Sequence, residues 1–480
     1  MEVLSVVGAP PNFVKVAPII AAHGVRGDGG GEAGMSATSG ARDARCAVTE
    51  LWAMAGKFVA WLEDAGYESY DPYDVWGTRY GVLARRLYYR KHPLGVAMTA
   101  PLILMEIVWP RLRTLLVRKD RYPTADAQLA LAFLNLYEIS RAQEEALAPR
   151  ASGGRTSVSW LTKAKQLADD LLTESVPGWS GLGWGYPFDW QNVSGLVKKQ
   201  TPHITATPYC YEVFTRLFDL TGDDDYCEVA RSIAAFVFED LHDTPTGRDA
   251  AAGSYTPYDR SKVVNASAYR AFVLFDAARR FHNDAYHAKA SRNLRFILDA
   301  QRSDGSWLYA IDSPAEAFID HFHTCFVLKN LYKLNRELHS PEVAASVRRG
   351  YEWYRRSLFD RQDHPRSFTI APRLEVVRIE MYNVAEAISL GTLLGHDIPG
   401  AFALADDLAA RFVRPYQLRA GHWITRIYLG GIRHRVPFLR WPQSQLFLAL
   451  TNLMTTKEHP SGSDAVTRRV GPALSTLLLA

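Results

Sequence analysis

Asp320, His321 and His323 fall within one helical turn, and an acid beside two imidazoles is a set that exchanges protons near neutral pH. Positions i and i+2 of a helix diverge, so acid/base work or substrate hydrogen bonding is expected of them in place of metal binding. No metal and no cofactor are expected. His203 sits in an extended run, Thr201 to Thr207, just before a helix start, and is a further candidate for ligand contact. Asp189 is the lone carboxylate of the loop Gly178 to Asn192, which also carries Trp179, Trp184, Tyr186, Phe188 and Trp190. Aromatic faces beside hydrogen-bonding side chains suit sugars, whose C–H surfaces stack on rings while their hydroxyls need donors and acceptors. Tyr186, Trp190 and Gln191 are therefore candidate sugar contacts, with Asn265, Tyr382, Asn383, Arg440 and Trp441 at other helix beginnings.

Two reactions fit these residue types. Removal of the proton α to a uronate carboxylate, giving C5 epimerisation or β-elimination, needs a base, an acid and a neutralised carboxylate. His203, His321, His323 and the tyrosines supply proton exchange; Asn265, Gln191 and Arg440 supply carboxylate contacts. Glycoside hydrolysis needs two carboxyl groups flanking the bond; Asp189 and Asp320 are that pair, with Glu380 in reserve. A third reading is a non-catalytic glycan-binding subunit of a polysaccharide assembly complex.

The elements that must position these groups are helical hairpins. Helix, polar loop, helix recurs from Tyr209 to Leu241, Asn265 to Gln301, Asp320 to Phe359 and Glu380 to Phe412, with a last unit beginning near Trp441. The repeat spacing is about 55 to 60 residues, and two-helix repeats of this kind stack into a solenoid or close into a ring. In each unit the candidate residues open the first helix, so the helix beginnings should line one face. Earlier helices are expected over Arg45 to Ala65, Ala125 to Gln143 and Val158 to Ser175, and Thr207 before Pro208 reads as a helix N-cap.

The 480 residues divide into an N-terminal extension, 1–44, and one all-α domain, 45–480. The net charge of +4 comes from scattered Lys and Arg, which argues against a nucleic-acid partner. Cys46, Cys210, Cys227 and Cys325 lack metal-type spacing and read as small core residues in a reducing, cytoplasmic setting. Leu94 to Trp109 is the most apolar segment, yet it is too short to span a bilayer and contains Pro101 and Glu106. It is expected to be a buried or interfacial helix, with peripheral membrane contact through it and Arg111, Arg113, Arg118 and Lys119.

Tyr70-Asp71-Pro72-Tyr73-Asp74, Gly185 to Gln191, Val264-Asn265-Ala266-Ser267, Asp304-Gly305-Ser306-Trp307, Ile319 to Thr324 and Arg440-Trp441-Pro442-Gln443 together resemble a bacterial family encoded among exopolysaccharide and capsule genes. More remotely the chain resembles the (α/α) toroids of six-hairpin glycoside hydrolases, polysaccharide lyases and glucuronyl C5-epimerases. The resemblance spans roughly residues 50–457 and implies an (α/α)6-type toroid, with aromatic loops over one end and a polysaccharide or oligosaccharide substrate. Glu380-Met381-Tyr382 stands where the nearer family has an Asp-Ile-His-like triplet. Separately, residues 1–24 resemble the first strand and helix of UDP-N-acetylglucosamine 2-epimerases, with Pro10 in place of an arginine. A single βα unit cannot form a parallel sheet, so no sugar-nucleotide activity is expected.

Overall fold

A computed structural model of the chain describes residues 46–147, 156–311, 313–371 and 375–458. The readings made on residues 1–44, and the domain boundary at 44/45, lie outside these.

Six helices form an inner ring: α4 (Pro123–Leu147), α6 (Thr207–Thr221), α8 (Val264–Phe281), α10 (His321–Leu338), α12 (Met381–Leu394) and α15 (Ser444–Glu458). Each packs on the next, and α15 packs back on α4, so the ring closes. An outer helix backs each one: α5 (Thr156–Glu174), α7 (Asp224–Glu239), α9 (Asp284–Asp299), α11 (Pro341–Ser357), α13 (Ala401–Leu408) and, behind α15, the N-terminal helix α1 (Val48–Ala65). A single turn, α14 (Arg414–Tyr416), follows α13. Closure by α1 on α15 joins the two ends of the described chain. Phe58 of α1 packs against Phe447 of α15 and Trp423 at ring separations near 5 Å.

The repeated connectors have a common physical basis. Gly222, His282 and His339 end the inner helices α6, α8 and α10 in the left-handed conformation, each backbone N–H closing on the helix it leaves. The next residue, Asp223, Asn283 or Ser340, then caps the outer helix by accepting hydrogen bonds from its first free backbone N–H groups. A left-handed residue followed by a capping residue reverses the chain in two positions. Every hairpin of this kind therefore leaves its inner-helix start on the same end of the ring.

That end carries the loops and short strands: β1 (Trp190–Gln191) with β2 (Leu196–Val197), β3 (Asp243–Pro245) with β4 (Ala251–Gly253), β5 (Ile319–Asp320) with β6 (Phe368–Ile370), and β7 (Val377–Glu380) with β8 (Arg426–Tyr428) and β9 (Arg433–His434). All pairings are antiparallel. Between α1 and α4 the chain inserts a further hairpin, α2 (Arg79–Tyr89) and α3 (Pro93–Val108). One expectation needs correcting: Thr207 is the first residue of α6, not its cap. Its hydroxyl donates to the His203 carbonyl at 3.0 Å, and Ala206 occupies the cap position.

Candidate functional site

All six inner helices contribute their starting ends to one inner chamber. Thr124 comes from α4, Tyr209 from α6, Asn265 and Tyr269 from α8, Phe322, His323 and Phe326 from α10, and Tyr382 from α12. Arg440 and Trp441 come from the turn that opens α15. Tyr186, Phe188 and Trp190 of the aromatic loop close the chamber from above. Its open volume is about 80 Å³. Trp190, Tyr255 and Tyr309 also line an outer cleft of about 770 Å³, which holds Lys198, Lys199, Asp259 and Glu316. The two spaces thus meet at an aromatic collar.

Of the candidate histidines, His323 is the one that lines the inner chamber. Asp320 ends β5 and caps α10, with Oδ1 accepting the His323 backbone N–H at 3.0 Å. The other carboxylate oxygen, Oδ2, accepts from His323 Nδ1 at 2.7 Å. A carboxylate can only accept there, so Nδ1 carries a proton, and in the neutral ring the accepting nitrogen is then Nε2. No described residue bonds to Nε2. Asp320 itself is buried. Cap and orienting acid are therefore one residue.

Arg440 is the cation of the chamber. Its guanidinium meets Asp71 at two points, Nε to Oδ2 at 2.7 Å and Nη2 to Oδ1 at 2.8 Å, and lies over the Tyr186 ring at 4.6 Å. Burial opposes its charge, but Asp71 outweighs burial and holds it protonated well above its ordinary range. Nη1, turned away from Asp71, has Tyr186 Oη at 3.4 Å. Asn265 completes the polar set: it is buried, and neither its Oδ1 nor its Nδ2 has a partner among the described residues. A buried amide in that state costs about 1–3 kcal/mol until something pairs with it.

Tyr382 and Trp441 stack face to face, 3.6 Å apart and within 4° of parallel. Tyr382 Oη accepts from Gln445 Nε2 at 2.9 Å, and Trp441 Nε1 donates to Glu380 at 3.3 Å. Glu380 is otherwise ion-paired with Arg426. The Tyr209 and Tyr269 hydroxyls face each other at 3.0 Å, and burial pushes Tyr209 up to about 12, so it is a proton donor at neutral pH.

The other candidate residues lie outside the chamber lining. His321 points into the packing of α10 on α11: Nε2 meets Tyr354 Oη at 2.8 Å, Nδ1 meets the Arg366 carbonyl at 3.1 Å, and burial holds its pKa down to about 3. His203 is one layer behind the wall, 4.3 Å from the Tyr186 ring, with Nδ1 on Thr205; burial, then Arg440, lowers it to about 3. Asp189 accepts from the Lys199 backbone N–H at 2.9 Å in the loop above. Gln191 is buried beside Arg86 and bonds to the Asn192 carbonyl. Asn383 is buried on α12. Sequence reasoning missed Tyr73, Tyr209, Tyr255, Tyr269 and Phe326 as chamber walls. A usable signal existed: Tyr269 and Phe326 lie one helical turn beyond Asn265 and Phe322.

No protein-family model matches this chain, and no curated protein matches it. Solved structures do. A cellobiose 2-epimerase from Bacillus thermoamylovorans covers 70% of this chain and 88% of its own at 11% identity, with a TM-score of 0.51. A D-mannose isomerase covers 88% of this chain and 100% of its own at 10% identity, TM-score 0.51. A GH76 α-mannanase of Bacteroides thetaiotaomicron covers 70% and 87% at 10% identity, TM-score 0.50. The chain has the fold of the (α/α)6 toroid enzymes. At these identities the likeness is one of architecture, and the residues of this toroid must be read for themselves.

Proposed function

We propose that this toroid is a carbohydrate-active enzyme that removes the C5 proton of a uronic acid residue in a bacterial polysaccharide, giving epimerisation or β-elimination. The observation that carries the reading is the Asp320–His323 pair, with no described residue bonded to Nε2, beside a chamber that His323 and Arg440 line and that no carboxylate lines among the described residues.

The chemistry follows from those groups. Arg440 Nη1 and the Asn265 amide pair with the substrate carboxylate, and the starting ends of six helices add positive potential around it. His323 Nε2 takes the C5 proton. The electron pair moves into the carboxylate, whose second negative charge Arg440 stabilises. In epimerisation a chamber tyrosine, Tyr209 being the one argued above, returns a proton to the opposite face of C5. In β-elimination the C4–O bond breaks instead, leaving a C4=C5 double bond, and the tyrosine proton goes to the departing oxygen. The outer cleft, rimmed by Lys198 and Lys199, has room for the neighbouring sugars of an acidic chain.

Hydrolysis by Asp189 and Asp320 has less support. Asp320 has both oxygens engaged by His323, and Asp189 lies outside the chamber lining with Oδ1 on the Lys199 backbone. A panel of uronate-containing and neutral polysaccharides incubated in D2O tests the proposal. C5 deuterium or an unsaturated end supports it, while new reducing ends with C5–H intact would overturn it.

A further inference from the structure

Helix α3 is apolar on both sides. Its inner side, Leu102, Ile103 and Met105, packs on Trp76, Val377 and Tyr428. Its outer side is a second stripe, Leu94, Ala97, Pro101, Leu104 and Val108, at the 3–4 spacing of one helix face and exposed along its length. A surface helix ordinarily turns polar residues outward. The apolar surface continues into the next turn of chain, where Trp109 is 62% and Leu115 80% exposed. An exposed patch of this extent on a soluble fold marks an interaction site.

Along the patch itself the exposed charge has one sign, and the nearest exposed acids, Asp120 and Glu68, lie just beyond its end. From Arg79 to Lys119 every exposed charged side chain is cationic, including Arg79, Arg90, Lys91, Arg111, Arg118 and Lys119. The acid within that span, Glu106, is buried and ion-paired with Arg113, which also binds Asp74 at 2.9 Å. Burial alone would raise Glu106, but Arg113, His434 and Arg426 together hold it ionised, well below its ordinary range. The hairpin is therefore fixed to the toroid by internal ion pairs and presents mainly apolar and cationic groups outward, with Tyr80 and His92 the exposed neutral polar side chains on it. Among the described residues no helix is long and apolar enough to cross a membrane.

We infer that the α2–α3 hairpin docks this protein on the surface of an anionic lipid bilayer, with the apolar stripe in the headgroup boundary and the cations on lipid phosphates. The strand β1, which carries Trp190, packs on α2. Docking therefore holds the collar of the cleft close to the lipid surface, whichever reaction the chamber performs.

The test is flotation of the full chain with phosphatidylcholine vesicles, with and without about 30% phosphatidylglycerol. Two surface variants, Leu104→Gln/Leu115→Gln and Arg118→Glu/Lys119→Glu, are compared after circular dichroism confirms their fold. The expected result is flotation with the anionic vesicles, a loss of partitioning of about tenfold or more in each variant, and weakening by salt. Absence of flotation by the native chain would overturn the inference. So would equal flotation of the native chain and both variants. Self-association through this face without vesicle binding would overturn it in favour of a second copy as the occupant.

Discussion

Arg440 and Asp71 join opposite ends of the chain: they stand 369 positions apart and meet through two parallel hydrogen bonds of 2.7 and 2.8 Å. The pair fixes the guanidinium plane at the chamber wall and turns Nη1, which has Tyr186 Oη at 3.4 Å, away from Asp71. Asp71→Ala would leave a buried cation without its counter-ion. We expect a loss of about 3–5 kcal/mol in unfolding free energy by denaturant titration. Arg440→Lys keeps the charge and loses the fork. It should raise KM for an acidic glycan about tenfold or more while unfolding with only a modest change.

Asp320→Asn separates orientation from capping. Asparagine still caps α10, so the fold should be retained, but its amide can donate to Nδ1 and so place the ring proton on Nε2, where it blocks proton removal. We expect kcat to fall about 10²–10⁴-fold with KM little changed, and His323→Gln to fall at least as far. Equal loss in KM and none in kcat would show that the pair only binds substrate.

Trp190 is shared by the inner chamber and the outer cleft. Trp190→Ala removes a stacking face without touching the proton-exchanging groups. The expected outcome is a rise of about tenfold in KM on long substrates with kcat within about twofold, measured by initial rates across a chain-length series.

His321 gives a pH signature that belongs to stability. Its folded pKa is held near 3 by burial, against an ordinary 6.5. Below about pH 6.5 the unfolded chain binds a proton that the folded chain refuses, so its contribution is intact above that pH and is lost as pH falls towards 3, by about 1.4 kcal/mol per pH unit. His203 adds a loss of the same sign over the same window. Denaturant titrations at pH 4.5, 5.5 and 6.5 should show the His321→Gln variant with a slope shallower by about 1.4 kcal/mol per unit. Identical slopes would mean that His321 is already charged in the folded state.

The hairpin repeat was legible in the sequence because its connectors carry their own stereochemistry. Gly222-Asp223, His282-Asn283 and His339-Ser340 each combine a left-handed exit with a cap. The facing of Asn265, His323, Tyr382 and Arg440 onto one chamber followed from their shared place at helix starts. Closure of the ring by α1 on α15 was not legible, since nothing local in Val48 to Ala65 names a partner beyond residue 440. The separation of His321 from His323 was foreseeable from helix geometry, but which one met the chamber depended on α11 supplying Tyr354. Asp71, which the sequence shows only as part of the Tyr70–Asp74 motif, acquires its role as the partner of Arg440 only in three dimensions.

The most direct measurement of the central claim is NMR of a uronate-containing oligosaccharide in D2O with the native protein and with His323→Gln in parallel. Deuterium at C5, or a C4=C5 unsaturated end, is expected with the native protein, and neither at a comparable rate with the variant. New reducing ends that retain C5–H, formed equally by both proteins, would contradict it.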